Sequence, residues 1–153
     1  MPLALLRRVL RVRPRALSQT RLRLSDRVRL SAEILVAYAE LLVLLRRNDV
    51  SRMVEGARSV RVAPVQAPPE RDAHAAALRL GRIVQRVITK LPTDKRCLIN
   101  SLVVVRMLSQ RGIDARVVIG VQSGGEGFRA HAWVEHDDRP VLAPGDYVRL
   151  LEL

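Results

Sequence analysis

Two residues in this chain have the types and spacing for nucleophilic chemistry. They are Cys97, in PTDKRCLIN, and His131, in RAHAWVEH, 34 positions later. The thiolate is the reactive form of cysteine, and it is favoured at helix N-termini and beside cationic side chains. Cys97 meets both conditions: the helix-forming run LINSLVVVRMLSQ follows it directly, and Lys95 and Arg96 precede it. With Thr93 or Asp94 as the cap, the sulfur falls in the first helical turn, where free backbone N–H groups and the helix dipole draw an anion. A neutral imidazole at His131 is then the base that takes the thiol proton and later returns it to a leaving amine. The backbone N–H of Cys97 is the first candidate oxyanion donor.

An imidazole acting as base is normally oriented by a third group. Counting across a tight turn centred near Asp137 puts Ala143 opposite His131, and the alanine side chain can orient nothing. Asp146, which follows Pro144–Gly145, is the first candidate for the role. A backbone carbonyl, a water or Glu152 are the substitutes. His74, near a helix start, and His136, before a turn, read as surface residues. Gly124, Gly125 and Gly127 lead into His131 and either shape a substrate entrance or only connect two strands.

Other chemistries lack their residues. A single cysteine allows no internal disulfide, and three scattered histidines give no zinc spacing. No GxxxxGK[ST] or strand-linked GxGxxG occurs, and no carboxylate pair stands out for glycoside chemistry. Neither a metal nor a cofactor is expected. The most apolar stretch, Ile34 to Leu45, contains Glu40 and falls short of the roughly 20 residues a membrane span needs. The opening MPLALLRRVLRVRPR is too rich in arginine for a signal peptide, so a cytoplasmic location is expected. A basic amphipathic segment resting on a membrane is the alternative.

The chain of 153 residues carries 27 Lys and Arg against 15 Asp and Glu, a net charge of +12. The excess is uneven. Residues 1–30 hold nine arginines and one acid, Asp26, whereas from His131 onward five acids face only Arg139 and Arg149. The basic character therefore belongs to the front and suits a docking surface. Nucleic acid is not the expected partner, because aromatic residues are 3% of the chain and no recognition motif appears.

The elements that must position the pair can be read from periodicity. Arg21 to Leu30 alternates arginine with leucine or valine and reads as a short strand or an arginine-rich surface segment. Ser31 is placed to cap a helix in which Ile34, Leu35, Tyr38, Leu41, Leu42 and Leu45 form the apolar stripe. A weaker helix follows over Val50 to Val62. The proline-rich APVQAPPE is a linker. A second strong helix spans about Ala73 to Leu91 and is closed by Pro92; a third covers 98–110 and ends at Gly112. Strands are expected over Ala115 to Val121, His131 to His136 and Arg139 to Leu142, with Asp137–Asp138 as a turn. Helices followed by a small antiparallel sheet make an α+β fold. The expected organisation is a basic helical extension over 1–62, a linker over 63–72 and a core over 73–153.

The segment RCLINSLVVVRMLSQRGIDARVVIGV followed by AHAWVEHDDRPV resembles the transglutaminase-like core of lasso-peptide leader peptidases, cysteine proteases of the microcin-processing type. The resemblance covers about residues 75–150, and the same Cys and His carry a wider similarity to transglutaminase-like and papain-like proteins. It implies a cysteine peptidase that removes the leader from a ribosomally made lasso precursor peptide, with Cys97 as nucleophile and His131 as base. It further implies a separate small leader-recognition protein as partner, and an ATP-dependent macrolactam cyclase acting afterwards. The family carries an aspartate on the strand after the histidine, where this sequence has Leu142–Ala143. The basic extension over 1–62 would then dock the partner or the leader. Three other readings use the same residues differently: a Cys–His acyltransferase or amidase, an inactive adaptor that kept the fold, and a basic nucleic-acid-binding protein.

Overall fold

A computed structural model describes residues 24–46, 69–91, 96–123 and 128–152. Three helices, α1 (Leu24–Arg46), α2 (Glu70–Ile88) and α3 (Arg96–Ser109), precede four strands. The strands are β1 (Arg116–Ser123), β2 (Phe128–His136), β3 (Arg139–Pro140) and β4 (Val148–Glu152). They form one antiparallel sheet in the order β3-β2-β1-β4. This is the expected α+β arrangement, helices packed on a small sheet.

Helix α3 lies at the centre. Ile99, Leu102, Val103, Val104, Val105, Met107 and Leu108 are all buried, so the helix is apolar around most of its circumference, as a core helix must be. It packs against α1, α2 and β2. Gly112, with φ 71, turns the chain out of it, and the Ile113 amide donates to the Leu108 carbonyl at 3.1 Å. Helix α2 contributes the stripe Ala73, Ala77, Leu80, Val84 and Ile88. At Gly81 it approaches the chain after β3 so closely that a Cβ would lie 3.1 Å from Val141 Cγ1.

Helix α1 begins at Leu24, seven residues before the expected cap, and Ser31 is inside it. The arginine–leucine alternation over 24–30 is therefore helical. Leu24 and Val28 are 76% and 64% exposed, so the alternation never lined a buried sheet face, and Arg and Leu are good helix formers. Residues 21–23 lie outside the described residues, as do the weaker helix expected at 50–62 and most of the proline-rich linker. Leu30, Ile34, Ala37, Tyr38 and Leu41 of α1 join the same buried cluster as α2, α3 and the sheet. Glu33 and Glu40 tie it to α3: Arg111 donates to Glu33 at 2.7 Å, and Arg106 pairs with Glu40.

The β2–β3 hairpin turns through Asp137 and Asp138, with φ 51 and 57. Positive φ at both positions is the two-residue turn whose twist suits paired strands, and Asp tolerates it. The third strand stops at Pro140 instead of Leu142, although the Val141 amide still donates to the Val134 carbonyl at 2.7 Å. The fourth strand was not expected. VRLLE is exposed at every residue and, among the described residues, pairs only with β1, at the edge of the sheet, with a register shift between Ile119 and Gly120.

Candidate functional site

Cys97 is the second residue of α3 and is half-buried and unpaired. The next turns anchor it, since Ile99, Leu102 and Val103 lie in the core. The sulfur therefore projects from the fixed start of a 14-residue helix. The expected caps, Thr93 and Asp94, and the neighbouring Lys95 lie outside the described residues.

His131 stands in β2 with Gly120 of β1 as its register partner. Its Nε2 lies 3.3 Å from the carbonyl oxygen of Ala143. A carbonyl only accepts, so this contact places the ring proton on Nε2 and leaves Nδ1 with the lone pair. Two aromatic rings stack against the imidazole: Tyr147, with centroids 5.0 Å apart at 29°, and Trp133, at 6.3 Å and 20°.

Cys97 and His131 border one open cleft of about 200 Å³. Asn100, one turn beyond the cysteine, lines it with them, as do Gln85, Ile88 and Thr89 at the end of α2. Ala132, Leu142 and Ala143 complete the wall. The end of one helix, the start of the next, the middle of a strand and the segment after β3 thus converge on a thiol and an imidazole. The Asn100 Oδ1 is shielded from solvent and has no hydrogen-bond partner among the described residues.

The structure places the third expected residue elsewhere. Asp146 is exposed and does not border the cleft. Glu152 joins Arg149 and lies 3.4 Å from Arg116. The group that meets the imidazole is the main-chain oxygen of Ala143, which lies beyond the paired strand. The observed register, Glu135↔Pro140 and His136↔Arg139, differs by one from the count that had put Ala143 opposite His131. A backbone carbonyl was expected as a substitute for Asp146, but which one could not be read from the side chains, because every residue carries a carbonyl.

His74 and His136 do not have the surface character expected of them. His136 is 7% exposed, its Nδ1 donates to the Asp114 carbonyl at 2.6 Å, and its ring stacks on His74 with centroids 5.9 Å apart. Desolvation lowers the His74 pKa from its usual value, and Arg139 and His136 lower it further against the opposing pull of Asp137. These two rings join α2 to the end of β2, away from the cleft. The glycines at 124, 125 and 127 lie outside the described residues. Among the described residues, no three His, Cys, Asp or Glu side chains gather as a metal site needs, and no helix is long and apolar enough to cross a membrane.

A family model described as the transglutaminase-like superfamily matches residues 39–151, well over half of the chain. Searches of curated proteins and of solved structures returned no significant match.

Proposed function

Because the chain belongs to the transglutaminase-like superfamily, whose members are commonly cysteine-dependent enzymes, we propose that Cys97 is its nucleophile and His131 its general base. The superfamily includes cysteine peptidases and acyltransferases. The observation that carries the reading is the shared cleft: a helix-start thiol and an imidazole with its Nε2 proton engaged border the same space. The finer assignment is a peptidase that removes the leader from a lasso precursor peptide. It rests on the resemblance of RCLINSLVVVRMLSQRGIDARVVIGV and AHAWVEHDDRPV to leader peptidases.

Nδ1 of His131 takes the Cys97 proton, and the sulfur attacks the carbonyl at the leader–core junction. The oxyanion draws on the Cys97 amide at the helix start. The C–N bond breaks as the imidazolium gives its proton to the core peptide's amine. Water, losing a proton to Nδ1, then attacks the thioester, and the C–S bond breaks to release the leader with a new carboxyl end. An open cleft suits an extended peptide, which enters and leaves lengthwise. The reading places the reaction in the cytoplasm, with a small recognition protein presenting the leader and an ATP-dependent cyclase receiving the core.

The test is incubation with a lasso precursor peptide, with and without the recognition protein, followed by intact-mass measurement. Hydrolysis yields two fragments whose masses sum to the precursor plus one water. A product joined to an added amine identifies an acyltransferase instead. Undiminished cleavage by Cys97→Ala or His131→Ala overturns the mechanism.

A further inference from the structure

The contact that orients His131 is weak for the task. At 3.3 Å, between a partly exposed ring and a carbonyl, it is longer than the usual 2.9–3.0 Å and is open to competition from water. Imidazole rings turn easily about their last side-chain bond, so a second constraint is needed to keep one tautomer and one orientation.

The surroundings supply it. Tyr147 lies 5.0 Å from the imidazole with the ring planes inclined at 29°, inside the distance range of a favourable ring pair. Trp133 lies at 6.3 Å, nearer the outer limit. Both rings occupy space that glycine leaves open. A Cβ on Gly120 would fall 2.7 Å from the Trp133 ring, and one on Gly145 would fall 3.2 Å from the Tyr147 ring. Gly145 also adopts φ +64, so a side chain there would be strained as well as crowded. Trp133 is pinned in turn: its Nε1 donates at 2.8 Å to Glu135, which pairs with Arg149.

We propose that Tyr147, seated by Gly145, is a positioning residue that holds the His131 imidazole against the Ala143 carbonyl in place of a side-chain acid. Trp133 supports the same ring more loosely. The tyrosine face also attracts the imidazolium formed once the thiol proton has moved. The idea rests on reading His131 as the base, and it explains how the site can work where the resemblance leads one to expect an aspartate.

The experiment compares Tyr147→Leu and Tyr147→Gln, which remove the ring, with Tyr147→Phe, which keeps it. Circular dichroism selects the folded variants, and either folded ringless variant decides. Nitrogen-15 NMR of the neutral His131 ring reads the tautomer without reference to activity. Wild type and the Phe variant are expected to hold the Nε2–H form, while a ringless variant populates both. In peptide cleavage, a ringless variant should lose about tenfold in kcat with KM within about twofold, and Phe should restore the loss. A single Nε2–H tautomer retained without the ring, or a Phe variant as impaired as Leu, overturns the proposal. Normal cleavage by His131→Ala would instead sink the functional reading, leaving the tautomer measurement to judge Tyr147 separately.

Discussion

Cys97 and His131 are held by different elements, a helix start and a strand, so each can be removed without dismantling the support of the other. Cys97→Ala and His131→Ala should each slow cleavage by about a thousandfold or more, and the double variant should be little worse, since groups that act as a unit do not add. Single-turnover mass spectrometry is the measurement. Asp146 gives the sharper comparison. Exposed and outside the cleft, it should tolerate Asp146→Asn with activity within about twofold of wild type, because nothing the reaction touches is altered. A loss of tenfold or more would restore it as the orienting acid. Ala143 contributes only its main-chain oxygen, so its influence is sought through Tyr147.

The same separation of parts governs the elements. Helix α3 carries the thiol and fills the core, so its seating sets the site. Glu33 of α1 pairs with Arg111, which is nine-tenths buried at the end of α3 and also donates to the Met107 carbonyl at 3.0 Å. Glu33→Ala leaves that guanidinium without its carboxylate and should cost about 3 kcal/mol in urea unfolding. On the sheet, Gly120→Ala meets both the Trp133 ring and the Val148 carbonyl at 2.8 Å or less. Overpacking of this kind costs about 1–3 kcal/mol. Because the displaced ring is the one beside His131, activity should fall along with stability.

Over the whole molecule, two features reach beyond the site. The first is the His74–His136 stack joining α2 to β2. The folded state binds the His74 proton less readily than the unfolded chain, in which the imidazole has its ordinary pKa of 6.5. Between the two pKa values the unfolded chain holds more protons, so stability rises with pH there. Stability should therefore fall as pH drops through about 6.5 and lose the full contribution below the folded-state value. Thermal unfolding across pH 5 to 8 should show this slope, flattened in His74→Gln. The second is the basic front of the chain. Residues 1–23 hold seven arginines and no acid, and deletion should stop short of α1, whose Leu30 lies in the core. If this segment docks leader or partner, its removal weakens peptide processing but leaves the rate of Cys97 alkylation unchanged. Equal loss of both would place the segment in the fold instead.

The three helices, the α+β class, the Asp137–Asp138 turn and the placing of Cys97 at a helix start were legible in the sequence. Each is a local consequence of spacing: apolar residues every three or four positions, a glycine after the last turn, two residues that tolerate positive φ. Position 143 was reached by a count that is one residue off: the register Glu135↔Pro140 and His136↔Arg139 would carry Pro144 opposite His131, and pairing stops at Pro140, so the Ala143 carbonyl arrives from beyond the ladder. Tertiary structure decided the rest. Leu24 to Leu30 became helix because the alternation had no sheet to lie on, and VRLLE became a strand because β1 offered an open edge. A backbone carbonyl was a foreseen substitute for the acid, but which one meets the imidazole was settled by the path of the chain after β3, and two rings lie beside it where two glycines leave them room. These are contacts between distant residues, and periodicity along one chain records only neighbours.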